Sequence, residues 1–62
     1  MTVQLTSLQQ IILEVEQLDL PLREAMKITT QRSGFFVGQQ RYLEERQKAY
    51  AAVEQPEPAL QE

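Results

Sequence analysis

The stretch Leu8–Met26, LQQIILEVEQLDLPLREAM, decides how this chain folds. Leu8, Ile11, Ile12, Val15 and Leu18 recur at spacings of three and four, which makes one apolar stripe on an α-helix. Gln9, Gln10, Glu14, Glu16 and Gln17 fall mostly on the other faces. Leu8, Val15 and Leu22 stand one heptad apart, as do Ile11 and Leu18, so the stripe is also a short heptad seam. Just upstream, Thr6 and Gln9 have the spacing of a capping box: the threonine hydroxyl accepts from a first-turn N–H and the glutamine reaches back. The pattern predicts a helix over about 6–18, after a lead-in of residues 1–5. Downstream, Asp19-Leu20-Pro21 ends it. Proline disfavours helix in the residue before it but suits a first helical turn, having no N–H to leave unpaired. Asp19 is placed to cap a second helix, so a turn is expected at 19–21.

That second helix begins with an apolar face of Leu22, Ala25, Met26 and Ile28, then weakens through Thr29-Thr30-Gln31-Arg32-Ser33-Gly34. Phe35-Phe36-Val37 and Gly38 follow, and then the strongly helical 39–53. Two arrangements compete: one long helix over about 21–54, soft or bent at Gly34 and Gly38, or two helices broken there. A glycine inside a helix costs ~1 kcal/mol relative to alanine, which a packed face can absorb. The long helix is therefore the expectation. On it, Phe36, Leu43 and Tyr50 are one heptad apart, a thinner seam than the first, and parts of Phe35, Val37 and Tyr42 would lack cover. The expected architecture is all-α: an antiparallel helical hairpin forming one domain over 1–54. Residues 55–62, acidic and proline-containing, read as a disordered tail.

Composition narrows what such a chain can do. Sixty-two residues without cysteine have no disulfide to add to a core worth only ~3–5 kcal/mol, so assembly with itself or with a partner is the expected source of stability. Without histidine or cysteine, nucleophilic triads and the usual zinc ligand sets are absent. The nine carboxylates are scattered over polar faces rather than paired for acid–base work. No catalytic residue, metal or cofactor is expected, and no small-molecule ligand. Apolar runs such as Ile11-Ile12-Leu13 fall far short of the ~20 residues of a membrane span. The N-terminus has no basic leader, so the expected location is cytoplasmic. The net charge of −3 is unevenly spread: residues 1–22 and 49–62 carry only acids, and all six basic residues lie between. In a hairpin this sets an acidic first helix against a basic second one, which selects orientation and partners more than it adds stability.

Two motifs remain. Residues 21–48 admit a helix-turn-helix: Leu22–Thr29, a turn at Thr30–Gly34, and a recognition helix Phe35–Lys48 offering Arg32, Arg41, Arg46 and Lys48 to nucleic acid. Three bulky apolar residues at the start of the recognition helix, on an acidic chain, weigh against it and favour a solvated basic face. Gly34-Phe35-Phe36-Val37-Gly38 marks a bend, a close backbone approach or an exposed patch that a partner covers, with plain core packing as the alternative. Two isolated glycines make no phosphate-binding loop.

Residues 8–27 also resemble the small subunit of exonuclease VII, whose first helix and turn typically read L-x-x-I-V-x-x-L-E-x-G-x-L-P-L-E-E-A-L. Leu8, Ile11, Ile12, Val15, Glu16, Leu20, Pro21, Leu22, Glu24, Ala25 and Met26 fall in register without a gap. Residues 39–48, QQRYLEERQK, are similar to that family's C-Q-x-x-L-x-x-A-E-x-K segment, so the likeness spans about 8–50. The chain departs from the pattern at Leu18 in place of the turn glycine, at Thr29 and Arg32 in the second helix, and at Arg46-Gln47 in place of the A-E pair. The resemblance implies a helical hairpin that associates with a large nuclease subunit acting on single-stranded DNA. That subunit carries all the catalytic residues. On this reading the chain is a non-catalytic accessory subunit with a larger protein partner, self-associating, and touching nucleic acid indirectly if at all. Leu8, Ile11, Ile12, Val15, Leu18, Leu22, Met26, Phe35, Phe36, Leu43 and Tyr50 are its expected packing and interface residues. The rivals are a small helix-turn-helix regulator and a self-associating helical adaptor of the phage or plasmid type.

Overall fold

The computed structural model describes residues 4–58. It contains three helices, α1 (Ser7–Glu16), α2 (Leu22–Ser33) and α3 (Gln39–Ala52), and no strand among the described residues. Helix α1 is the hub. It packs against both α2 and α3, which touch each other only sparingly.

The start of α1 is fixed by the capping box. Thr6 Oγ1 accepts from the Gln9 N–H at 3.1 Å, and Gln9 Oε1 accepts from the Thr6 N–H at 3.1 Å. Ile12 and Val15 are fully buried, with Leu8 and Ile11 half-buried beside them. The helix ends two residues earlier than its apolar stripe. Leu18 and Asp19 N–H groups bond back to the Val15 and Glu16 carbonyls, and Asp19 then takes a left-handed conformation at φ 55°. Aspartate tolerates that region better than most residues. Asp19 is thus the pivot of the turn and not the cap of α2. The N-cap of α2 is Pro21, whose carbonyl receives the Ala25 N–H at 2.9 Å and which offers no side-chain bond.

The long helix expected over 21–54 is two helices. Gly34 sits at φ 84° as the left-handed C-cap of α2, its N–H bonded to the Thr30 carbonyl at 3.1 Å. Hydroxyls complete the break. Thr30 Oγ1 accepts from the Val37 N–H at 2.9 Å, and Ser33 Oγ donates to the Phe35 carbonyl at 3.1 Å. Such side chains offer the backbone partners that compete with the helical ladder. The break turns Val37 into the core, and Gly38 becomes the N-cap of α3. The expected two-helix hairpin therefore survives only as an all-helical chain whose first helix packs on both later ones.

The break also resets the face that α3 buries. Tyr42, Arg46, Ala49 and Tyr50 are its buried residues. Phe36 lies outside the helix and is 81% exposed, so the row Phe36–Leu43–Tyr50 does not form. Val37 and Tyr42, expected to lack cover, are core residues together with Ile12, Val15, Leu22 and Ala25. Leu43 and Met26 pack at its edge, and Leu18 is left 49% exposed. Of the expected disordered tail, residues 55–58 have no regular structure but return to touch Arg46. Residues 59–62 lie outside the described residues.

Candidate interaction surface

Chemistry-bearing side chains converge in one place, between α1 and α3. The Glu16 carboxylate accepts from the Tyr42 hydroxyl and, at 3.2 Å, from the Tyr50 hydroxyl. The Arg46 guanidinium lies 3.1 Å from it through Nε, with side chains 4% and 12% exposed. Arg46 Nε has no well-aligned acceptor, so this contact is ionic more than a hydrogen bond. Its Nη2 donates to the Pro58 carbonyl at 2.7 Å, and Glu57 stands 3.8 Å from Nε. Burial pushes the Tyr42 hydroxyl's pKa well above the ordinary tyrosine value, and the hydrogen bond to Glu16 and its negative charge push the same way. Tyr50 is raised by burial first and then by the Glu16 charge. Both phenols are thus held protonated, donating to a carboxylate already paired with arginine. The cluster ties α1, α3 and residues 57–58 together.

The surface offers something different at the α2–α3 bend. Phe36 projects into solvent and Phe35 is about half exposed, with the Arg41 guanidinium 5.8 Å from its ring centroid, within cation–π range. The ring of Phe36 lies over Gly38, where an added Cβ would come within 3.2 Å of it. Beside Phe36 an open groove of about 460 Å³ runs between α2 and the start of α3, with Met26, Thr30 and Val37 in its wall. The hydroxyl bonds of Thr30 and Ser33 hold this bend in one shape.

The basic residues considered for nucleic acid each have a partner within the chain. Arg32 pairs with Glu14 at 3.6 Å, and Lys48 with Glu45 at 3.6 Å. Arg41 is drawn to Phe35, and Arg46 is buried. Among the described residues no group of three or more potential ligands could hold a metal ion. No helix among them is long and apolar enough to cross a membrane.

No protein-family model, curated protein or solved structure matches this chain. What it does must therefore be read from its own residues. Of those expected to pack, Leu8, Ile11, Ile12, Val15, Leu22, Met26 and Leu43 lie in or against the core, and Tyr50 is buried in the polar cluster. Leu18, Phe35 and Phe36 are exposed. Glu16, Tyr42 and Thr30 were not singled out from sequence. For Glu16 the signal is the acidic first helix facing a basic later segment, which two of the observed ion pairs, Arg32–Glu14 and Arg46–Glu16, realise; Tyr42 and Thr30 carry no such signal.

Proposed function

We propose that this chain is a non-catalytic accessory subunit, which binds a larger protein through the Phe35–Gly38 bend and works in the cytoplasm. The observation that carries the proposal is Phe36, an aromatic side chain 81% exposed on a bend whose backbone is clamped from both sides. Fully burying a phenylalanine is worth about 1.5–3 kcal/mol, and a bend already ordered loses little entropy on docking. The resemblance over residues 8–50 supplies the choice of partner, the large subunit of an exonuclease VII-type nuclease of single-stranded DNA. The break at Gly34 falls between the two segments that carry the resemblance, so each lies on its own helices.

The test is reconstitution. Mixed with such a large subunit, the chain is expected to co-elute with it and to enable degradation of single-stranded DNA, while degrading none alone. Phe36→Ser, at an exposed position, should leave unfolding within about 0.5 kcal/mol of the parent and abolish co-elution. Activity of the pure chain alone would sink the non-catalytic reading. Absence of any complex with the large subunit would remove the nuclease assignment.

The helix-turn-helix reading keeps one observation in its favour, the short connection between α2 and α3 on a third helix. It calls for salt-sensitive binding to duplex DNA, with a slope of roughly −0.9 per neutralised phosphate. The internal pairing of Arg32, Arg46 and Lys48 favours no such binding at physiological salt.

A further inference from the structure

The groove beside Phe36 has a charge as well as a shape. Its wall is almost wholly apolar, from Met26, Phe36 and Val37, and its rim carries Arg23 and Lys27 with no acidic residue among those that line it. Arg23 and Lys27 are exposed, and no carboxylate lies within ion-pair distance of either among the described residues, in contrast to Arg32, Arg46 and Lys48. They stand one helical turn apart on α2, where like charges destabilise the helix that bears them. An anionic group brought to this rim removes that repulsion.

Other occupants fit less well. A second copy docked by a two-fold axis through this groove would set Arg23 and Lys27 against their own equivalents, an unfavourable juxtaposition. A nucleic-acid backbone would satisfy the rim but leave the apolar wall facing a charged, hydrated chain. A polypeptide with an apolar side chain between carboxylates satisfies both. We propose that the groove between α2 and the start of α3 docks an acidic segment of the partner protein. One leucine or phenylalanine of that segment seats between Met26 and Phe36, and the flanking carboxylates meet Arg23 and Lys27. This deepens the accessory-subunit reading and rests on it for the existence of a protein partner.

The experiment uses the full chain, isotope-labelled for nuclear magnetic resonance, against two pools of synthetic peptides. Both pools carry a central leucine or phenylalanine; one flanks it with aspartate and glutamate, the other with lysine and arginine. The acidic pool is expected to bind at least about tenfold more tightly and to shift the amides of Met26, Lys27, Gln31 and Val37. Arg23→Glu combined with Lys27→Glu, both at exposed positions, should reverse the preference without changing the melting curve. A single-stranded oligonucleotide and a dilution series of the chain alone complete the set. If the acidic pool fails to outbind the basic one, including failure of both to bind, the proposal is overturned. Oligonucleotide binding at the same amides, stronger than that of the acidic pool, overturns it in favour of nucleic acid. Concentration-dependent shifts there without peptide, lost in Phe36→Ala, overturn it in favour of a second copy. In each case the reconstitution above still reports separately on whether a large partner binds, by this face or another.

Discussion

Neutralising Glu16 without changing its shape, as Glu16→Gln does, tests whether the polar cluster holds the fold. The two tyrosine hydroxyls donate to different carboxylate oxygens, so the amide keeps one of the two acceptors and loses the other, along with the charge that faces Arg46 at 3.1 Å. The guanidinium cannot move into water, since only 4% of that side chain is exposed. Removing one partner of a buried ion pair costs about 3–5 kcal/mol, because a charge is left buried and uncompensated. Glu57 at 3.8 Å and the Pro58 carbonyl at 2.7 Å remain, so the lower end, about 3 kcal/mol, is expected. That is comparable with the ~3–5 kcal/mol a core of this size supplies. Glu16→Gln should therefore sit near the edge of stability at room temperature. Adding Arg46→Met removes the stranded charge and keeps a long apolar stem, and should restore stability to within about 1 kcal/mol of the parent. Urea unfolding of the parent, both single variants and the double variant, followed by circular dichroism, gives the coupling. A loss below about 1 kcal/mol in Glu16→Gln, or a double variant as unstable as the sum of the singles, would refute the argument.

Alkaline pH should unfold the protein from just above the ordinary tyrosine value of 10.0. Above that pH the unfolded chain releases protons that the folded state keeps on Tyr42 and Tyr50, so stability falls as pH rises. Tyrosinate absorbance should then appear together with loss of helix; ionisation at pH 10 with the helices intact would contradict it. Gly34→Ala, placing a side chain at φ 84° where no atom crowds it, should cost roughly 1 kcal/mol from backbone strain alone. In the same thermal scan Gly38→Ala should cost less, since only the flexible Phe36 ring has to shift. Thr30→Val removes the acceptor of the Val37 N–H and should cost about 1–3 kcal/mol, with faster amide exchange at Val37; unchanged exchange there would show that the hydroxyl does not hold the bend.

The first half of the fold is legible because its signals are local and agree with one another. Thr6, Gln9 and the apolar stripe all call for the same helix, and Pro21 marks where the next begins. The second half fails on a competition that periodicity does not weigh. The modest helix formers Thr29–Ser33 do remain helical, but the hydroxyls of Thr30 and Ser33 also serve the bend beyond them. A glycine cost of ~1 kcal/mol is easily outweighed once a left-handed cap, two side-chain bonds and burial of Val37 act together. A heptad count anchored on Phe36, a residue outside α3, puts the buried row on Leu43, whereas the wholly buried residue is its neighbour Tyr42. Arg46 shows the complementary failure. A lone arginine in a polar helix carries no local mark of burial; the groups that hold it, Glu16 on α1 and Glu57 and the Pro58 carbonyl beyond α3, lie on other segments.

The division of aromatic residues follows from the same break. Tyr42 and Tyr50 point to Glu16, where their hydroxyls find an acceptor, and so can lie inside a small core. Phe35 and Phe36 have no polar tip to place there; the residue that enters the core from this segment is Val37, whose N–H is held by the Thr30 hydroxyl. Beside the clamped Val37, Phe36 lies outward, over Gly38, at the edge of a groove of about 460 Å³. The hydroxyl that holds Val37 in the core therefore lies next to the residue whose ring is left exposed. If the proposed partner docks on Phe36, a change that loosens the bend, such as Thr30→Val, should weaken both folding and binding, whereas Phe36→Ser should weaken binding alone.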